Sequence, residues 1–521
     1  MSPCALRSST SPRHPPLQLG FVLDQTRCIG CHACTVACKS ENDVPLGSFR
    51  TWVKYTEEGA FPTVKRSFTV LRCNQCSDAP CVTICPVSAL AKRPDGIVDV
   101  DPAHCIGCKA CMQGCPYDAL YINEGTGTAQ KCHFCAHRAE QGLAPACAVV
   151  CPTEAIVPGD FHDPTSRVSQ MKATGELTAR KTEAGTGPNV WYKGATAAGT
   201  TPLLTQASGG YLWANQLQGE QLAADEFRAL EARAAARTVY DVEHPPLWGW
   251  KVSAYLLTKS LSAGAALVGF GLLVRAPGAV DAVMVGLAGL FWLAVTGALL
   301  VWDLRRPERF IKILLRPNWT SWLAKGSVVI TAYGALLTLW AASEWIGLAP
   351  AGALGAALGA ATALAGVMTA GYTAFLFAQA KGRALWMERG LFSHLVVQAA
   401  ASGAALLLLA PGLFHLTADG LAMTRQALWF TLGLHLVLTL TSGTRAPLGR
   451  EREFHEAHAL LTRGPFKRLY LVSLAAVVVA IALVAPFTPP AAAGAAAVFA
   501  LLGLALYEHA FVRAGQALRI S

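Results

Sequence analysis

CIGCHACTVACKS, residues 28–40, sets four cysteines within eleven positions of a chain of 521 residues. Three more quartets follow: Cys73, Cys76, Cys81 and Cys85; Cys105, Cys108, Cys111 and Cys115; Cys132, Cys135, Cys147 and Cys151. The first quartet (Cys28, Cys31, Cys34, Cys38) and the third read C-x2-C-x2-C-x3-C, the second widens one gap to x4, and the fourth widens it to x11. Proline follows the last cysteine of three quartets, as Pro86, Pro116 and Pro152, and Lys39 takes that place in the first. Of 17 cysteines only Cys4 stands outside this scheme, an unused thiol in a polar leader.

A structural zinc site takes four ligands, usually as two separated pairs, and has no use for a third closely spaced cysteine. Cysteines three apart in one tight turn cannot all reach bridging geometry, which argues against disulfides. An iron–sulfur cubane takes three thiolates from one short loop and a fourth from elsewhere. In the bacterial ferredoxin run the last cysteine, before proline, ligates the other cluster of a pair. The spacing therefore predicts iron–sulfur clusters.

Residues 20–195 resemble the four-cluster ferredoxin subunit of the dimethyl sulfoxide, polysulfide and tetrathionate reductase complexes. Beyond the cysteines, RCNQCSDAPCVTICPVSAL (72–90), GCPYDA (114–119), KCHFCAHR (131–138), CPTEAI (151–156) and GTGPNVWY (185–192) carry the resemblance. It implies an α+β double bacterial-ferredoxin-like domain in which outer quartets pair with each other, as do inner ones. Cys28, Cys31 and Cys34 would share a cluster with Cys151, and Cys132, Cys135 and Cys147 one with Cys38. Cys73, Cys76 and Cys81 would take Cys115, and Cys105, Cys108 and Cys111 would take Cys85. Some relatives replace the second cysteine of the third quartet; Cys108 is present, so four 4Fe-4S clusters are expected.

The mean hydropathy of +0.37 averages two unlike halves. After a polar first half, apolar runs long enough for membrane helices begin near Val252. Eight are expected: Val252–Val274, Ala282–Trp302, Gly326–Trp345, Ala351–Phe377, Leu391–Leu409, Ala427–Ser442, Leu469–Phe487 and Ala491–Tyr507. The chain thus divides into a disordered leader (1–19), a cluster domain (20–195), a linker (196–246) and an all-α membrane bundle (247–521). In the linker, LAADEFRALEARAAARTVY (222–240) has helical spacing and predicts a surface helix. The opening residues have neither the apolar core of a secretory signal nor a twin arginine.

An even number of spans returns the C-terminus to the cluster side. Loops on that side hold Arg305, Arg306, Arg309, Lys312, Arg316, Lys325, Lys381, Arg383, Arg389, Arg445, Arg450, Arg452, Arg463, Lys467 and Arg468, against Arg275 and Arg425 opposite. Short loops rich in Lys and Arg stay in the cytoplasm, so the cluster domain is expected on the cytoplasmic side of a bacterial inner membrane. The net charge of +10 then reflects topology. No basic stretch is interleaved with aromatics as a base-stacking surface requires, and no nucleic-acid partner is expected.

The second half resembles the polysulfide reductase (NrfD-like) membrane anchor through HPPLWGWKVSAYL (244–256), DLRRPERFIKILLRPNWTSWLAKG (303–326), GYTAFLFAQAKGRALW (371–386) and YEHAFVRAGQALRIS (507–521); the last also resembles the dimethyl sulfoxide reductase anchor. The resemblance implies no haem and electron exchange with menaquinone or ubiquinone near the cluster-bearing side. Ionisable groups inside spans usually mark a pocket or pathway. Lys259, with Tyr255 one turn before it, Tyr372, Asp303 and Glu508 are the candidates, the first four as quinone-site residues. Each also has a plainer role: Lys259 snorkelling or paired with a carboxylate, the tyrosines packing, Asp303 paired with Arg305 or Arg306. Trp248, Trp250, Trp319 and Trp322 fit an interfacial belt. His394 and His435 read as single residues, not a bis-histidine haem site.

Together these features predict an electron-transfer and membrane-anchor subunit of a molybdopterin oxidoreductase complex. It would carry the quinol/quinone redox site but no site for the soluble substrate, which falls to a separate molybdopterin-containing subunit. The alternatives are the quinone-reducing arm of a cytoplasmic sulfite or formate dehydrogenase, and an ion-translocating membrane module coupled to the same electron transfer.

Overall fold

The computed structural model describes residues 17–59, 62–207, 236–243, 248–347 and 353–521. Cys4 and most of the expected linker helix lie outside them. Among the described residues the N-terminal half has twelve strands: β1 (Leu19–Asp24), β2 (Thr51–Glu58), β3 (Lys65–Arg72), β4 (Leu90–Lys92), β5 (Val98–Val100), β6 (Leu120–Asn123), β7 (Thr128–Lys131), β8 (Ile156–Asp160), β9 (Leu177–Ala179), β10 (Val190–Lys193), β11 (Gln206–Ala207) and β12 (Ala236–Tyr240). One sheet runs β8-β1-β10-β9, a second β11-β12-β2-β3, and the pairs β4–β5 and β6–β7 form separate hairpins. Each hairpin follows an inner cysteine quartet. The residues ARTVY, expected to close the linker helix, are strand β12 and pair antiparallel with β2. Their β-branched and aromatic side chains prefer a pleated surface once a sheet edge is available.

The second half, among the described residues, is a bundle of eight long helices: Trp250–Arg275, Ala282–Trp302, Trp322–Trp345, Ala353–Gln379, Leu391–Leu409, Ala418–Leu440, Lys467–Val484 and Ala493–Ala517. Seven of the eight are long and apolar enough to cross a membrane; Ala418–Leu440, which carries Arg425, Gln426 and His435, is not among them. The sixth expected span therefore falls short on composition, and its helix begins earlier than expected, at Ala418 after its N-cap Thr417. Connectivity still makes it run the length of the bundle. It begins beside the loop that bonds Ala279 and Asp281, at the end far from the clusters, and the loop after it returns Arg450 to the carbonyl of Lys381.

Helices approach closely where small residues meet. A side chain on Gly264 would lie 1.7 Å from the Ala399 carbonyl oxygen, so the first and fifth helices touch backbone to backbone there.

A broad seam joins the two halves. Arg305 N–H donates to the Gly107 carbonyl, Gly382 N–H to that of Gln113, and Ser321 Oγ to that of Ile84. Asn318 Nδ2 donates to the Cys85 carbonyl. Arg309 reaches the carbonyls of Pro102 and Cys105. Lys54 Nζ donates to the Ser521 carbonyl at 3.1 Å, which sets the C-terminal residues against the cluster domain. With the first long helix also starting at this seam, the bundle makes an even number of passes.

Lys109 Nζ lies 3.0 Å from both carboxylate oxygens of Asp303, across the seam. Burial raises the Asp303 carboxyl against the pull of Lys109. Lys109→Met and Asp303→Asn are each expected to cost roughly 1.5–3 kcal/mol, the scale of a hydrogen bond to a charged group. In thermal unfolding of the detergent-solubilised protein the double variant should lose less than the sum of the singles, as contacting partners do. Additive losses would show that the pair does not hold the seam.

Candidate redox centres and the buried polar site beneath them

The first and third quartets share the local sequence C-I-G-C-x-A-C and share its backbone. Gly30 and His32 have φ of 74° and 60°, and Gly107 and Lys109 have 68° and 63°. Such left-handed residues coil a loop tightly enough for its three thiols to face inward. Outside glycine they cost roughly 1–2 kcal/mol each, a strain typical of binding loops. Gln75 in the second quartet and Phe134 and Cys135 in the fourth are also left-handed.

The last cysteines have a repeated setting of their own. In C-P-x-x-A the residue before alanine is left-handed in all three copies, as Ser88, Asp118 and Glu154. This turns the alanine amide back on the sulfur: Ala89 N–H donates to Cys85 Sγ and Ala155 N–H to Cys151 Sγ, both at 3.3 Å. The first quartet has no such proline, and there Asn42, also four residues on, offers its side-chain amide to Cys38 Sγ at 3.7 Å.

The sixteen thiols gather in four sets. Cys28, Cys31, Cys34 and Cys151 line one small cavity. Cys38 faces Cys132, Cys135 and Cys147. Cys76 and Cys81 face Cys73 and Cys115, and Cys108 faces Cys85 and Cys105, with Cys111 beside them. Neighbouring sets abut, through Cys34 with Cys147 and through Cys81 with Cys111. Cys31 is exposed, whereas the inner quartets are buried except for half-buried Cys108. Arg72, fully buried, donates from Nη1 to Cys147 Sγ at 3.3 Å. Its Nε and Nη2 have no hydrogen-bond partner among the described residues. A guanidinium is not left so in a protein interior without a compensating anion, and thiolate-bound clusters supply one. The residues fit the group.

Beneath the inner thiols a single core crosses the seam, from Cys105, Cys111 and Cys115 to Trp248, Tyr255, Phe377 and Trp386. Trp248 Nε1 donates to the Cys108 carbonyl at 3.3 Å, and the ring stacks on Trp386 with centroids 5.3 Å apart. Trp248 is therefore a seam residue rather than part of a belt, while Trp250 and Trp319 are exposed as a belt requires. Nothing adjacent in sequence marks Trp248 off from its neighbours.

Two turns into the first long helix, Lys259 is 1 % exposed and its Nζ donates to Thr373 Oγ1 at 2.5 Å. It lies 4.8 Å from the Tyr372 ring centroid and 5.9 Å from that of Tyr255. Both tyrosine hydroxyls reach Thr373. Glu508, from the last helix, interacts with Lys259, and neither of its carboxylate oxygens has a hydrogen-bond partner among the described residues. A side chain at Gly326 would lie 2.1 Å from the Tyr372 ring, so that glycine makes room for it. The structure thus brings Lys259, Tyr255 and Tyr372 together and adds Thr373 and Glu508. Asp303 forms its ion pair with Lys109 at the seam, at 3.0 Å, with Arg305 acting on it electrostatically, and from there it acts on Tyr255. Thr373 was invisible in sequence, because a buried threonine in a helix usually bonds its own backbone.

His394 and His435 are not single. Their rings bond each other, Nε2 to Nδ1, at 2.9 Å, with Tyr507 packed 5.4 Å and 5.3 Å away. They come from different helices, and only the fifth and sixth helices packing together reveals them as a pair.

Residues 64–161 match the family described as "4Fe-4S dicluster domain", and residues 239–519 match "Polysulphide reductase, NrfD". The protein is similar to the B subunit of tetrathionate reductase from Salmonella typhimurium, 45% identical over 206 residues that cover 39% of this chain and 81% of that protein. The B component of polysulfide reductase from Wolinella succinogenes is 38% identical over 175 residues, 33% of this chain and 92% of its own. The arsenate respiratory reductase iron–sulfur subunit of a Shewanella species is 36% identical over 224 residues, 34% and 96%.

The expectation of four cubanes on these sixteen thiols corresponds to about sixteen irons per chain, four to each. Iron analysis of an anaerobic preparation should approach that value. Cys108→Ala should remove or convert one cluster and leave the signals of those held by the outer quartets.

Proposed function

Because the protein belongs to the polysulphide reductase NrfD family and joins to it a 4Fe-4S dicluster domain, we propose that it is the electron-transfer and membrane-anchor subunit of a molybdopterin oxidoreductase complex. In this reading the four thiol sets hold four 4Fe-4S clusters, and the membrane half exchanges electrons with menaquinone or ubiquinone. Bound clusters supply one-electron transfer between a two-electron carrier in the membrane and a distant catalytic site. The observation that carries the reading is the continuous buried core from the inner cysteines through Trp248 to Tyr255, with Lys259 one turn below.

The chain's own groups can manage the protons. Lys259 donates to Thr373 and lies 4.8 Å from the Tyr372 ring, and the Tyr372 hydroxyl, which also reaches Thr373, is the proposed donor to a quinone oxygen. The Glu508 carboxylate, which faces Lys259 and has no hydrogen-bond partner among the described residues, accepts a proton from quinol or, when protonated, gives one to quinone. Both ionisable groups lie in the half of the bundle nearest the clusters. Toward the other end the buried polar groups include hydroxyls, such as Ser262 bonded to the Gly289 carbonyl and Tyr333 bonded to that of Ser262. That arrangement favours proton exchange with the cluster side over translocation.

Among the outer quartets, Ile29 in the Cys31 loop, Val36 and Val149 on the helices that carry Cys34 and Cys147, and Leu46 are more than half exposed. A patch of apolar side chains beside the most exposed thiol suits a docking face, and the molybdopterin-containing catalytic subunit is the proposed occupant. Basic loops on the cluster side support a cytoplasmic placement in a bacterial inner membrane.

Lys259→Met, Glu508→Gln and Tyr372→Phe are expected to slow quinol-linked turnover at least tenfold, while dithionite still reduces every cluster. Unchanged turnover in all three would move the quinone site elsewhere. A reporter fused after Ser521 that works only in the cytoplasm should be active, and a silent one would put the cluster domain on the other side.

A further inference from the structure

Two buried cations stand between the thiol sets, each immediately before the first cysteine of a quartet but turned toward a different set. Arg72 precedes Cys73 yet faces the outer quartets. It donates to Cys147 Sγ, acts electrostatically on Cys132 and Cys34, and is also felt at Cys38. Lys131 precedes Cys132 yet is turned inward. It is 2 % exposed, donates to the carbonyls of Val98 and Cys132, and acts on Cys73, Cys76 and Cys81 as well as Cys132, with the Asp99 carboxylate the weakest of the groups acting on it. The set formed by Cys38, Cys132, Cys135 and Cys147 therefore has a cation on either side.

Two other cations near the thiols are neutralised. Lys109 has Asp303 at 3.0 Å, and Arg383 has Asp118 at 3.7 Å. Arg72 differs: it lies on the Phe21 ring at 4.4 Å, with two nitrogens that have no hydrogen-bond partner among the described residues. An unneutralised charge in a low-dielectric interior acts strongly on its neighbours. Reduction adds one electron and one negative charge to a cluster, so a fixed cation favours the reduced form and raises the potential. Net charge, sulfur hydrogen bonds and solvent exposure are the levers that set such potentials. Asn42 adds its amide to the same set, toward Cys38 at 3.7 Å and Cys135 at 3.9 Å.

We propose that Arg72 and Lys131 are a pair of tuning cations that bracket the cluster held by Cys38, Cys132, Cys135 and Cys147 and raise its potential most among the four, making it the station where an electron rests between quinone and partner. This rests on the four-cluster reading. Each transfer into that station moves one electron, with no bond made or broken. A high-potential station in mid-chain keeps the first electron of a quinol from returning before the second arrives.

The test is redox titration of the full chain followed by electron paramagnetic resonance, with iron content measured on the same samples. Arg72→Gln, which keeps a donor but removes the charge, should lower two midpoint potentials. Lys131→Met should also lower two, and one of them should be common to both variants. A tenfold change in the one-electron equilibrium is about 59 mV, and the common cluster should move by at least that. Arg72→Lys should hold the potentials near those of the wild type, and Arg66→Gln, a surface control, should leave all four in place. Unshifted potentials at full iron content would overturn the proposal. So would loss of iron in both neutral variants with full loading in Arg72→Lys and Lys131→Arg, which would assign the cations to assembly. Fewer than four clusters in the wild type would instead count against the four-cluster reading.

Discussion

Electron transfer between a water-exposed cluster and a carrier dissolved in lipid falls off steeply with distance, so the two halves of this chain have to be held against each other without slack. The seam does this with hydrogen bonds to main-chain carbonyls next to the ligands. Asn318 holds the carbonyl of Cys85, Arg309 that of Cys105 and Trp248 that of Cys108. Carbonyl contacts of this kind hold the loops that carry the thiols without depending on a flexible surface side chain of the cluster domain. Joining both halves in one chain adds a covalent link, but the seam fixes the geometry.

The same contacts change how the basic loops are read. Their charge bias pointed to the cytoplasmic face, a statement about insertion. In the folded protein several of these residues have a second task. Arg306 donates to the Thr126 carbonyl, Lys312 to that of Ala103 and Lys381 to that of Ala184, while Arg383 pairs with Asp118. A positive surface on the bundle meets carbonyl-rich loops of the cluster domain, and the charges that would orient the spans also clamp the domain to them.

What could be read in advance was local. Cysteine spacing fixes which thiols share a loop, and long apolar runs mark helices, because both depend on neighbours in sequence. The sixth helix lagged because Arg425 and His435 break its apolar run, although bundle neighbours accommodate both: Arg425 donates to the Thr488 carbonyl and His435 bonds His394. The His394–His435 pair, Thr373 beneath Lys259, and Trp248 at the seam all depend on segments far apart in sequence meeting in space. Lys259 was conspicuous alone, since an intramembrane lysine costs roughly 2.5–3.5 kcal/mol on insertion scales. Its partner Thr373 carries no such signal.

The cysteine settings show how one chemical need is met in two ways. A ligating sulfur in a low-dielectric site gains from a donor aimed at it, and in C-P-x-x-A a left-handed residue before the alanine supplies a main-chain amide four residues on. With Lys39 in place of proline, the chain after Cys38 continues as the helix Ala33–Glu41. An amide four residues on is then taken up by the helical bond from Asn42 N–H to the Cys38 carbonyl. The side chain of Asn42 serves in its stead, reaching both Cys38 and Cys135. Proline, by barring the helix, frees the main chain to bond sulfur; where the helix persists, a side chain at the same offset has to do it, and it reaches two ligands of one set.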